Sequence, residues 1–467
     1  MKVGVVGSQT FADYCNRLDA SPYLSDAVYN KIQLGKVVNI NLIGELVNEK
    51  GVIVSPYFKR NYITDTRYGL PMFGNTDIMR SDLSRNSEIL SNKVIDKHGD
   101  SLRMSKGNII VTCFGTVGYL AYFRKSMGNA IASTNFLRIN VDEELIGSGY
   151  LYAYLSSRFG HPILVQNEQG TIVSNLLPEQ VRGVMVPRFG KDTETKIDAL
   201  IKDSSDLRDE FELKVNQATE LLFSSAGIKD ITPNDWCTST SNQGFSVTLN
   251  SSRSLRALNF NSRYQQLVEK LKSVKHKKLG EICCGGKLSR GGRFKRIDAD
   301  EEHGVRLVAQ KQGFWAKPEG RWISPKYASN DVMVPDETIL IAARGTLGER
   351  EVYCRAIFIT GSWLDNAYSE DFLRVNVGAG IVSGAYLFAF LRSETAFRCI
   401  RSMSTGSKQQ EIHTGMLSEL PVPIIDEKSK AKVEALIREA FIAKDSADEK
   451  EKQAITLVED AIAEAVK

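Results

Sequence analysis

The chain has 467 residues, of which 42% are hydrophobic, and a formal net charge of +4 at pH 7. This length exceeds that of one ordinary domain, and the hydrophobic share excludes a disordered chain. No apolar run approaches the ~20 residues needed to cross a bilayer, and the first residues lack the pattern of a signal peptide. The seven cysteines are scattered and form neither a disulfide framework nor a zinc motif. We therefore expect a reduced, cytoplasmic protein with no membrane association.

The first part of the chain has the texture of a β-rich domain. Segments rich in β-branched and aromatic residues alternate with Gly, Asn, Asp and Ser, which is typical of short strands and turns. The clearest of these segments are VIVSPYF, NIIVTCF, YLAYF and FLRINV. A short helix is predicted over Tyr150–Ser157, because its apolar residues fall on one face.

A long helix is predicted after Val186-Pro187. Apolar residues recur there at spacings of three, four and seven, with no interior proline. The glycine that closes SSAG (Ser224–Gly227) favours a helix end at that point. A helix of about 35 residues is ~50 Å long, which is more than a small domain requires. Helices of this length with a narrow apolar stripe usually pair with each other.

The same order of elements then occurs a second time. Phe136–Ser157 reads FLRINVDEELIGSGYLYAYLSS and Phe372–Ser393 reads FLRVNVGAGIVSGAYLFAFLRS, at an offset of 236 residues. Other matches keep nearly the same offset: Gly115-Thr-Val-Gly118 with Gly345-Thr-Leu-Gly348, Val186-Pro187 with Val422-Pro423, and Lys196–Ile201 with Lys432–Ile437. Units this long are not solenoid repeats, so the chain consists of two related halves.

We predict an α+β fold with two related β-rich domains, separated by two long antiparallel coiled-coil helices in a pseudo-twofold internal repeat. The predicted bounds are 1–189 and 229–425 for the domains, with helices over 190–228 and 426–467. The residues expected to hold the helix pair together are Leu200, Ile201, Leu207, Phe211, Leu436, Ile437, Leu457 and Val458. Contact with a partner protein is the alternative role for the same residues.

Positive charge is concentrated in one part of the chain. Between Arg253 and Arg296 there are 13 basic residues and two acidic ones, whereas both predicted long helices carry more acidic than basic residues. Clustered Lys and Arg can mark a polyanion-binding surface. The alternative is a solvated face with no ligand.

The common enzyme motifs are missing. CCGGKLS lacks the first glycine and the final Ser/Thr of a phosphate-binding loop, and no G-x-G-x-x-G follows the first strand-like segment. The five histidines have no paired spacing, so we expect no metal site. No acidic-x-Lys nuclease pattern follows Pro335-Asp336-Glu337, and no Pro-Pro motif of an amino-methyltransferase occurs. These features favour a binding protein over a catalyst.

In their order, the motifs resemble the specificity (S) subunit of type I restriction-modification systems over nearly the whole chain. The resemblance rests on Arg17-Leu-Asp-Ala20 with Tyr23, Leu34-Gly35 and Leu279-Gly280, NIIVTCFGTVG and TILIAARGTLG, GYLYAYL and AYLFAFL, and Gly170-Thr171 and Gly406-Ser407. The second leader, Leu258–Tyr264, is only loosely similar. The second copy also carries Glu349-Arg350-Glu351 where the first has Tyr119-Leu-Ala.

The resemblance implies a non-catalytic DNA-specificity subunit. Each β-rich domain would be a target-recognition domain that reads one part of a bipartite site in double-stranded DNA. Two copies of a methyltransferase (M) subunit would bind the chain and supply S-adenosylmethionine for adenine methylation. Restriction (R) subunits, if present, would use ATP and Mg²⁺, and the chain itself would hold no cofactor.

Candidate DNA contacts are polar residues near matched turns. Basic side chains suit phosphates, and amide or basic side chains suit base edges. The candidates are Lys59, Arg60, Asn75, Thr76, Asp77, Gln169, Thr171, Lys295, Arg296, Gln310, Lys311, Gln312, Arg344, Lys408, Gln409 and Gln410. Ordinary surface charge and turn formation are the alternatives for these residues.

Two other functions fit the same sequence. The chain is the recognition part of a self-contained methyltransferase or nuclease, or it is a scaffold that holds two proteins and no DNA. The first alternative predicts methylation by the purified chain alone. The second predicts no two-part footprint on DNA and little dependence of any DNA binding on salt concentration.

Overall fold

The computed structural model describes residues 26–83, 88–166, 175–239, 254–328, 331–378 and 380–467, together with Gly7, Ser8 and Tyr23. The chain divides into two units. Unit 1 comprises Met1–Met79, Ser87–Asp209 and Ser446–Lys467, and unit 2 comprises Arg80–Asn86 and Glu210–Asp445. Each of the two long helices therefore gives part of its length to each unit. The domain bounds predicted from the sequence stay a prediction.

Helices of very different lengths occur in the described residues. In chain order they are Asp26–Leu34 (α1), Asn75–Ile78 (α2), Asn92–His98 (α3), Ser148–Ser156 (α4), Gly160–Val165 (α5), Pro178–Arg182 (α6), Lys191–Ser225 (α7), Pro233–Thr238 (α8), Ser262–Lys272 (α9), Leu279–Ile282 (α10), Gly384–Leu391 (α11), Glu394–Ser402 (α12), Thr414–Leu417 (α13) and Glu427–Ala465 (α14).

The strands are short and lie between the helices. In the first half they are Ile40–Leu42 (β1), Val47–Val54 (β2), Tyr62–Ile63 (β3), Gly69–Phe73 (β4), Glu88–Ser91 (β5), Ile109–Thr112 (β6), Leu120–Tyr122 (β7), Ile131–Ala132 (β8), Phe136–Val141 (β9) and Met185–Pro187 (β10). In the second half they are His276–Lys278 (β11), Lys287–Arg290 (β12), Val305–Val308 (β13), Arg321–Ile323 (β14), Thr338–Ala342 (β15), Arg344–Gly345 (β16), Ala356–Ile359 (β17), Ala367–Tyr368 (β18), Phe372–Asn376 (β19), Ser404–Thr405 (β20), Gln410–Ile412 (β21) and Pro421–Pro423 (β22). The predicted α+β class is confirmed.

The main sheet has the same plan inside each unit. In unit 1 the strand order is β2-β9-β6-β7, and in unit 2 it is β12-β19-β15-β17. Every neighbouring pair is antiparallel in both sheets. In both units the FLR segment is therefore a central strand.

The smaller sheets also match between the units. A two-stranded sheet pairs the first strand of each β-rich body with the strand that contains its Val-Pro. It consists of β1 and β10 in unit 1 and of β11 and β22 in unit 2. A further sheet contains one parallel pair in each unit, β4 with β8 and β13 with β18. Unit 2 also contains a three-stranded sheet of order β16-β21-β20.

Each central strand separates an apolar face from a face that carries a buried arginine. Leu137, Ile139 and Val141 point into the main core of unit 1, because alternate side chains of a strand lie on opposite faces. On the other face, Arg138 is 1% exposed and donates to the carbonyl oxygens of Arg103 and Ser101. Burial lowers the pKa of Arg138 to about 10.

Arg374 occupies the same place in unit 2. It is 2% exposed and donates from Nε to the carbonyl of Asp331 (3.1 Å) and from Nη2 to that of Tyr368 (2.9 Å). A third donation, from Nη1, reaches the carbonyl of Phe372 (3.2 Å). A guanidinium suits this role, since its donors are fixed in one plane.

The aromatic stripes of α4 and α11 lie in the cores. Tyr150, Tyr152 and Tyr154 are at most 5% exposed, and so are their counterparts on α11. The Tyr150 hydroxyl donates to the Pro187 carbonyl (2.5 Å), and the Tyr386 hydroxyl donates to the Pro423 carbonyl (2.8 Å). These rings therefore belong to the cores of the two units.

Both long helices have clear end signals. Helix α7 ends before Gly227, whose φ of +74° favours glycine, and the Ile228 N–H donates to the Phe223 carbonyl as in a Schellman cap. Helix α14 begins after Asp426, whose carboxylate accepts the Ser429 N–H (3.0 Å). The predicted long helices are thus present.

In unit 1 the two long helices meet through small and charged residues. The Ser204 hydroxyl donates to the Ala447 carbonyl (2.7 Å), and Lys450 pairs with Asp203 (2.9 Å). Arg208 of α7 pairs with Asp448 (2.7 Å) and Glu451 (2.6 Å) of α14.

In unit 2 the pairing continues with aromatic rings. Phe211 and Phe441 meet edge to face with ring centroids 5.3 Å apart. Lys214 bridges Glu439 (2.8 Å) and Glu210 (2.7 Å) at the surface. As residue numbers rise along α7 from Phe211 to Lys214, those of the partners on α14 fall from Phe441 to Glu439, so the helices run antiparallel.

The predicted seam residues face the cores of the two units. Ile201 and Val458 belong to the core of unit 1, and Phe211 and Ile437 to that of unit 2. Leu200, Leu207, Leu436 and Leu457 are half-buried. Within the described residues, the Ser204, Asp203 and Arg208 contacts join the helices directly, and these were not predicted. The role of the apolar set as a seam stays a prediction.

Across the described part of the chain, no helix combines the length and apolar character needed to cross a membrane.

Candidate nucleic-acid interface

An amide side chain holds the start of the Gly345–Gly348 turn in unit 2. Gln310 Nε2 donates to the Arg344 carbonyl (2.5 Å), and the Arg344 N–H donates to Gln310 Oε1 (3.0 Å). One side chain thus satisfies both main-chain groups of Arg344. Gln310 therefore holds the turn, and its contact with a base stays a prediction.

In unit 1 an amide side chain likewise contacts the main chain at the matched turn. Asn75 Nδ2 donates to the Phe114 carbonyl (2.8 Å), directly before Gly115. Asn75 Oδ1 is buried and has no hydrogen-bond partner among the described residues. In both units an amide predicted to read a base thus contacts the main chain that leads into the Gly-Thr-x-Gly turn.

Arg344 lies in an ion-pair network at the end of the central sheet of unit 2. Its Nε contacts Glu411 (3.0 Å) and its Nη1 contacts Asp371 (3.1 Å). Glu411 also pairs with Arg290 (3.1 Å). The hydrogen bond from Arg290, together with that from Arg344, holds the pKa of Glu411 below its usual value. A phosphate or base that approaches Arg344 therefore has to compete with two carboxylates.

Several predicted phosphate contacts are on the surface. Lys59 and Arg60 are exposed in unit 1, and Lys295 and Arg296 are exposed in unit 2. Arg296 pairs with Glu370 (2.7 Å), next to the Asp371 that binds Arg344. Their contact with DNA stays a prediction.

The β20–β21 hairpin of unit 2 extends the same surface. Strand β21 pairs with β16, so that Gly345 lies opposite Gln410 and Arg344 opposite Glu411. Lys408 and Gln409 are exposed at the hairpin turn. The structure therefore brings Gln310, Arg344 and the hairpin together around one strand edge.

Three of the predicted DNA contacts also hold the local structure. Asp77 is 1% exposed and accepts the Gly74 N–H (2.8 Å) at the start of α2. Gln312 accepts the Ala309 N–H (2.9 Å). Gln410 is 3% exposed and contacts Arg256 and the Ser407 carbonyl. Their contact with DNA stays a prediction.

The remaining candidates differ in how they can be placed. Thr76 is half-buried within α2, and Lys311 is exposed. Gln169 and Thr171 lie outside the described residues. Among the described residues, no group of three or more His, Cys, Asp or Glu side chains is placed to hold a metal ion.

Replacing Gln310 with alanine is expected to lower the stability of unit 2 by about 1–3 kcal/mol, because both main-chain groups of Arg344 lose their partner. Lys311→Ala, at the exposed neighbouring position, should change stability by less than about 0.5 kcal/mol. Thermal unfolding of the two variants checks this difference. Equal melting temperatures would contradict the turn-holding role of Gln310.

Sequence reasoning missed the acidic members of this surface. Glu411 and Asp371 carry no motif of their own, and only the β16–β21 pairing and the position of Asp371 directly before β19 bring them to Arg344. It also passed over the buried arginines Arg138 and Arg374. Their identical position in the two FLR segments was the available signal.

No family model and no curated protein sequence matches the chain. Among solved structures, it is similar to the type I restriction-modification S subunit from M. genitalium, with 14% identity, a TM-score of 0.34, and 92% of this chain and 95% of that chain covered. It is also similar to the HsdS subunit from Thermoanaerobacter tengcongensis, with 13% identity, a TM-score of 0.26, and 91% and 96% of the chains covered.

A third solved structure, described as concerning complex assembly and conformational transition of the type I R-M system, shares 13% identity and a TM-score of 0.26 and covers 92% of this chain and 97% of its own. The solved structures to which this chain is similar over more than nine-tenths of its length thus include S subunits of type I restriction-modification systems.

Proposed function

We propose that this chain is a DNA-specificity subunit of a type I restriction-modification system. Each unit reads one part of a two-part target in double-stranded DNA. The observation that carries the proposal is the duplication: the two units have the same strand order, the same buried arginine and the same amide-held turn. Two copies of one design in a single chain suit a target made of two parts.

The exposed cations support a role in DNA binding. Lys59, Arg60, Lys295 and Lys408 are exposed near the starts and turns of the two β-rich bodies. Cationic side chains position a protein on the phosphate backbone, whereas groove contacts specify bases. We assign these lysines and arginines to positioning rather than to base reading.

The chemistry belongs to partners in this proposal. Two methyltransferase subunits bind S-adenosylmethionine and methylate an adenine in each part of the target. Adenine methylation requires the base to leave the stack, at a cost of a few kcal/mol that specific contacts offset. ATP and Mg²⁺ are used by restriction subunits where these are present, and this chain acts without a cofactor of its own.

Co-expression with a type I adenine methyltransferase subunit, followed by genome-wide mapping of methylated adenines, tests the proposal. We expect a single two-part motif with a fixed gap. The methyltransferase alone and the chain alone serve as controls, and neither should methylate. Methylation by the purified chain alone would support the enzyme alternative and overturn the proposal.

Salt dependence separates the proposal from a protein scaffold. A complex that makes six to ten phosphate contacts should lose roughly a thousandfold or more in affinity between about 50 and 200 mM salt. Fluorescence anisotropy with a duplex that contains the mapped motif measures the slope. A flat response would contradict phosphate positioning by the exposed cations.

A further inference from the structure

The charged insertion after the second Gly-Thr-x-Gly turn has a structural counterpart on α12. The first copy continues from its turn with Tyr119-Leu-Ala, but the second continues with Glu349-Arg350-Glu351. Helix α12 presents Arg398 and Arg401, which lie one turn apart. Both arginines are nearly buried, at 3% and 6% exposed.

Arg398 forms a bidentate ion pair with Glu349 of the insertion. Its Nη1 donates to Glu349 Oε1 (2.9 Å) and its Nη2 to Glu349 Oε2 (2.8 Å). Its Nε donates to Glu394 (2.7 Å), which also accepts from Arg355 (3.1 Å). Paired donation of this kind fixes direction as well as distance. The carboxylate of Glu349 is therefore held in one place although its side chain is 62% exposed.

Arg401 holds the main chain of the turn itself. Its Nη2 donates to the Gly348 carbonyl (2.6 Å) and lies 3.4 Å from the Thr346 carbonyl. The Arg401 guanidinium also lies over the Phe397 ring, 4.9 Å from its centroid. The turn is thus attached to α12 at its carbonyls by Arg401 and at Glu349 by Arg398.

The described residues of unit 1 also attach their turn to a helix. His161 Nε2 lies 3.0 Å from the Gly118 carbonyl, and a Cβ on Gly118 would collide with Val165. His161 and Val165 lie on α5, which follows the FLR strand and α4 in unit 1. Helix α12 follows the FLR strand and α11 in the same way in unit 2. Each turn is therefore attached to the equivalent helix. In unit 2 the attachment includes a charged clamp, formed by Glu349, Arg398 and Arg401.

The clamp leaves the tip of the turn open. Thr346 and Leu347 are exposed, with Leu347 at 36%. Arg344, at the base of the same turn, lies in the strand edge with Gln410 and Glu411. A short exposed tip on a rigid base is suited to contact a groove with little loss of conformational entropy.

We propose that Glu349, Arg398 and Arg401 are positioning residues that fix the Gly345–Gly348 turn for base discrimination in one part of the target. This inference rests on the proposed function, with unit 2 reading that part. The clamp acts on the direction of Thr346 and Leu347 and makes no DNA contact itself. Its loss should relax sequence selectivity for one part only.

The test compares Glu349→Ala with Glu351→Ala in the full chain, co-expressed with the methyltransferase subunit. Glu351 is an exposed carboxylate two residues away, so its removal is a matched change in charge. We expect Glu349→Ala to lower discrimination against single mismatches about tenfold in one part of the motif, with the other part unchanged. Glu351→Ala should leave both parts as in the wild type.

Three measurements complete the design. Glu349→Gln, which keeps a hydrogen-bond acceptor for Arg398, should restore part of the lost discrimination. Hydrogen exchange at Thr346–Gly348 should be faster in Glu349→Ala, while the melting temperature stays within a few degrees of the wild type.

Two results would overturn the inference. A folded Glu349→Ala variant with unchanged discrimination shows that the clamp does not position the turn, and relaxation of both parts to the same degree shows that its effect is not local. A wild-type complex that yields no two-part motif overturns the proposed function as well, so the two failures are distinguishable.

Discussion

Arg208→Met is expected to lower the free energy of unfolding of unit 1 by about 3–5 kcal/mol, since it leaves buried carboxylates without their cation. Arg208 Nη2 lies 2.7 Å from Asp448 and 2.6 Å from Glu451, which is 5% exposed. The Tyr152 hydroxyl donates to the same Glu451 (2.8 Å). Burial alone would lower the pKa of Arg208, but the charges of Glu451 and Asp448 outweigh it and raise the pKa.

Urea denaturation at neutral pH, with hydrogen exchange to locate the loss in unit 1, measures this effect. Lys214→Met is the matched control on the same helix, because its partners Glu210 and Glu439 are 43% and 54% exposed. Exposed pairs contribute about 0–1 kcal/mol, so this variant should be nearly as stable as the wild type. Equal losses in the two variants would show that burial of the Arg208 network is not what makes it stabilising.

Arg374→Met is expected to destabilise unit 2 by about 3–5 kcal/mol. Three main-chain carbonyls lose their donor, and a buried unsatisfied group costs about 1–3 kcal/mol each before the surroundings relax. Arg374→Lys should recover little of this loss, because a single ammonium group cannot match the planar guanidinium. The close approach of Gly291 to Arg374, where a Cβ would lie 2.2 Å from Nη1, shows how tightly the site is filled.

Thermal and urea unfolding of Arg374→Met, Arg374→Lys and Arg321→Met checks the expectation. Arg321 is 50% exposed and pairs with an exposed Asp298 in the same unit, so its loss should cost less than about 1 kcal/mol. A lysine variant as stable as the wild type would mean that charge, not the geometry of three donors, is what the site requires.

Periodic features could be predicted from the sequence. The spacing of apolar residues placed the long helices that lie over Lys191–Ser225 and Glu427–Ala465. The two FLR segments indicated a repeated strand and helix, and the aromatic residues after them are core as expected. Such patterns depend on near neighbours along the chain, where helix and strand geometry dictates which side chains share a face.

The roles of single polar residues could not be predicted in this way. Asn75 and Gln310 have the amide groups of base readers, yet they bind carbonyls of turns 39 and 34 residues further along the chain. Asp77 has the charge of a surface residue, yet it is 1% exposed and accepts the Gly74 N–H at the start of α2. The partners of these groups are known only when distant segments meet.

The contact between the long helices shows the same division. Apolar spacing predicted a seam that includes Phe211, which meets Phe441 in unit 2. It did not predict the polar contacts of unit 1, which pass through Ser204, Asp203 and the Arg208 network. The sequence by itself determined that two long amphipathic helices and two related β-rich bodies form. Only the tertiary structure decided what each helix face and each polar side chain contacts, because burial, ion pairing and turn geometry depend on residues that lie hundreds of positions apart.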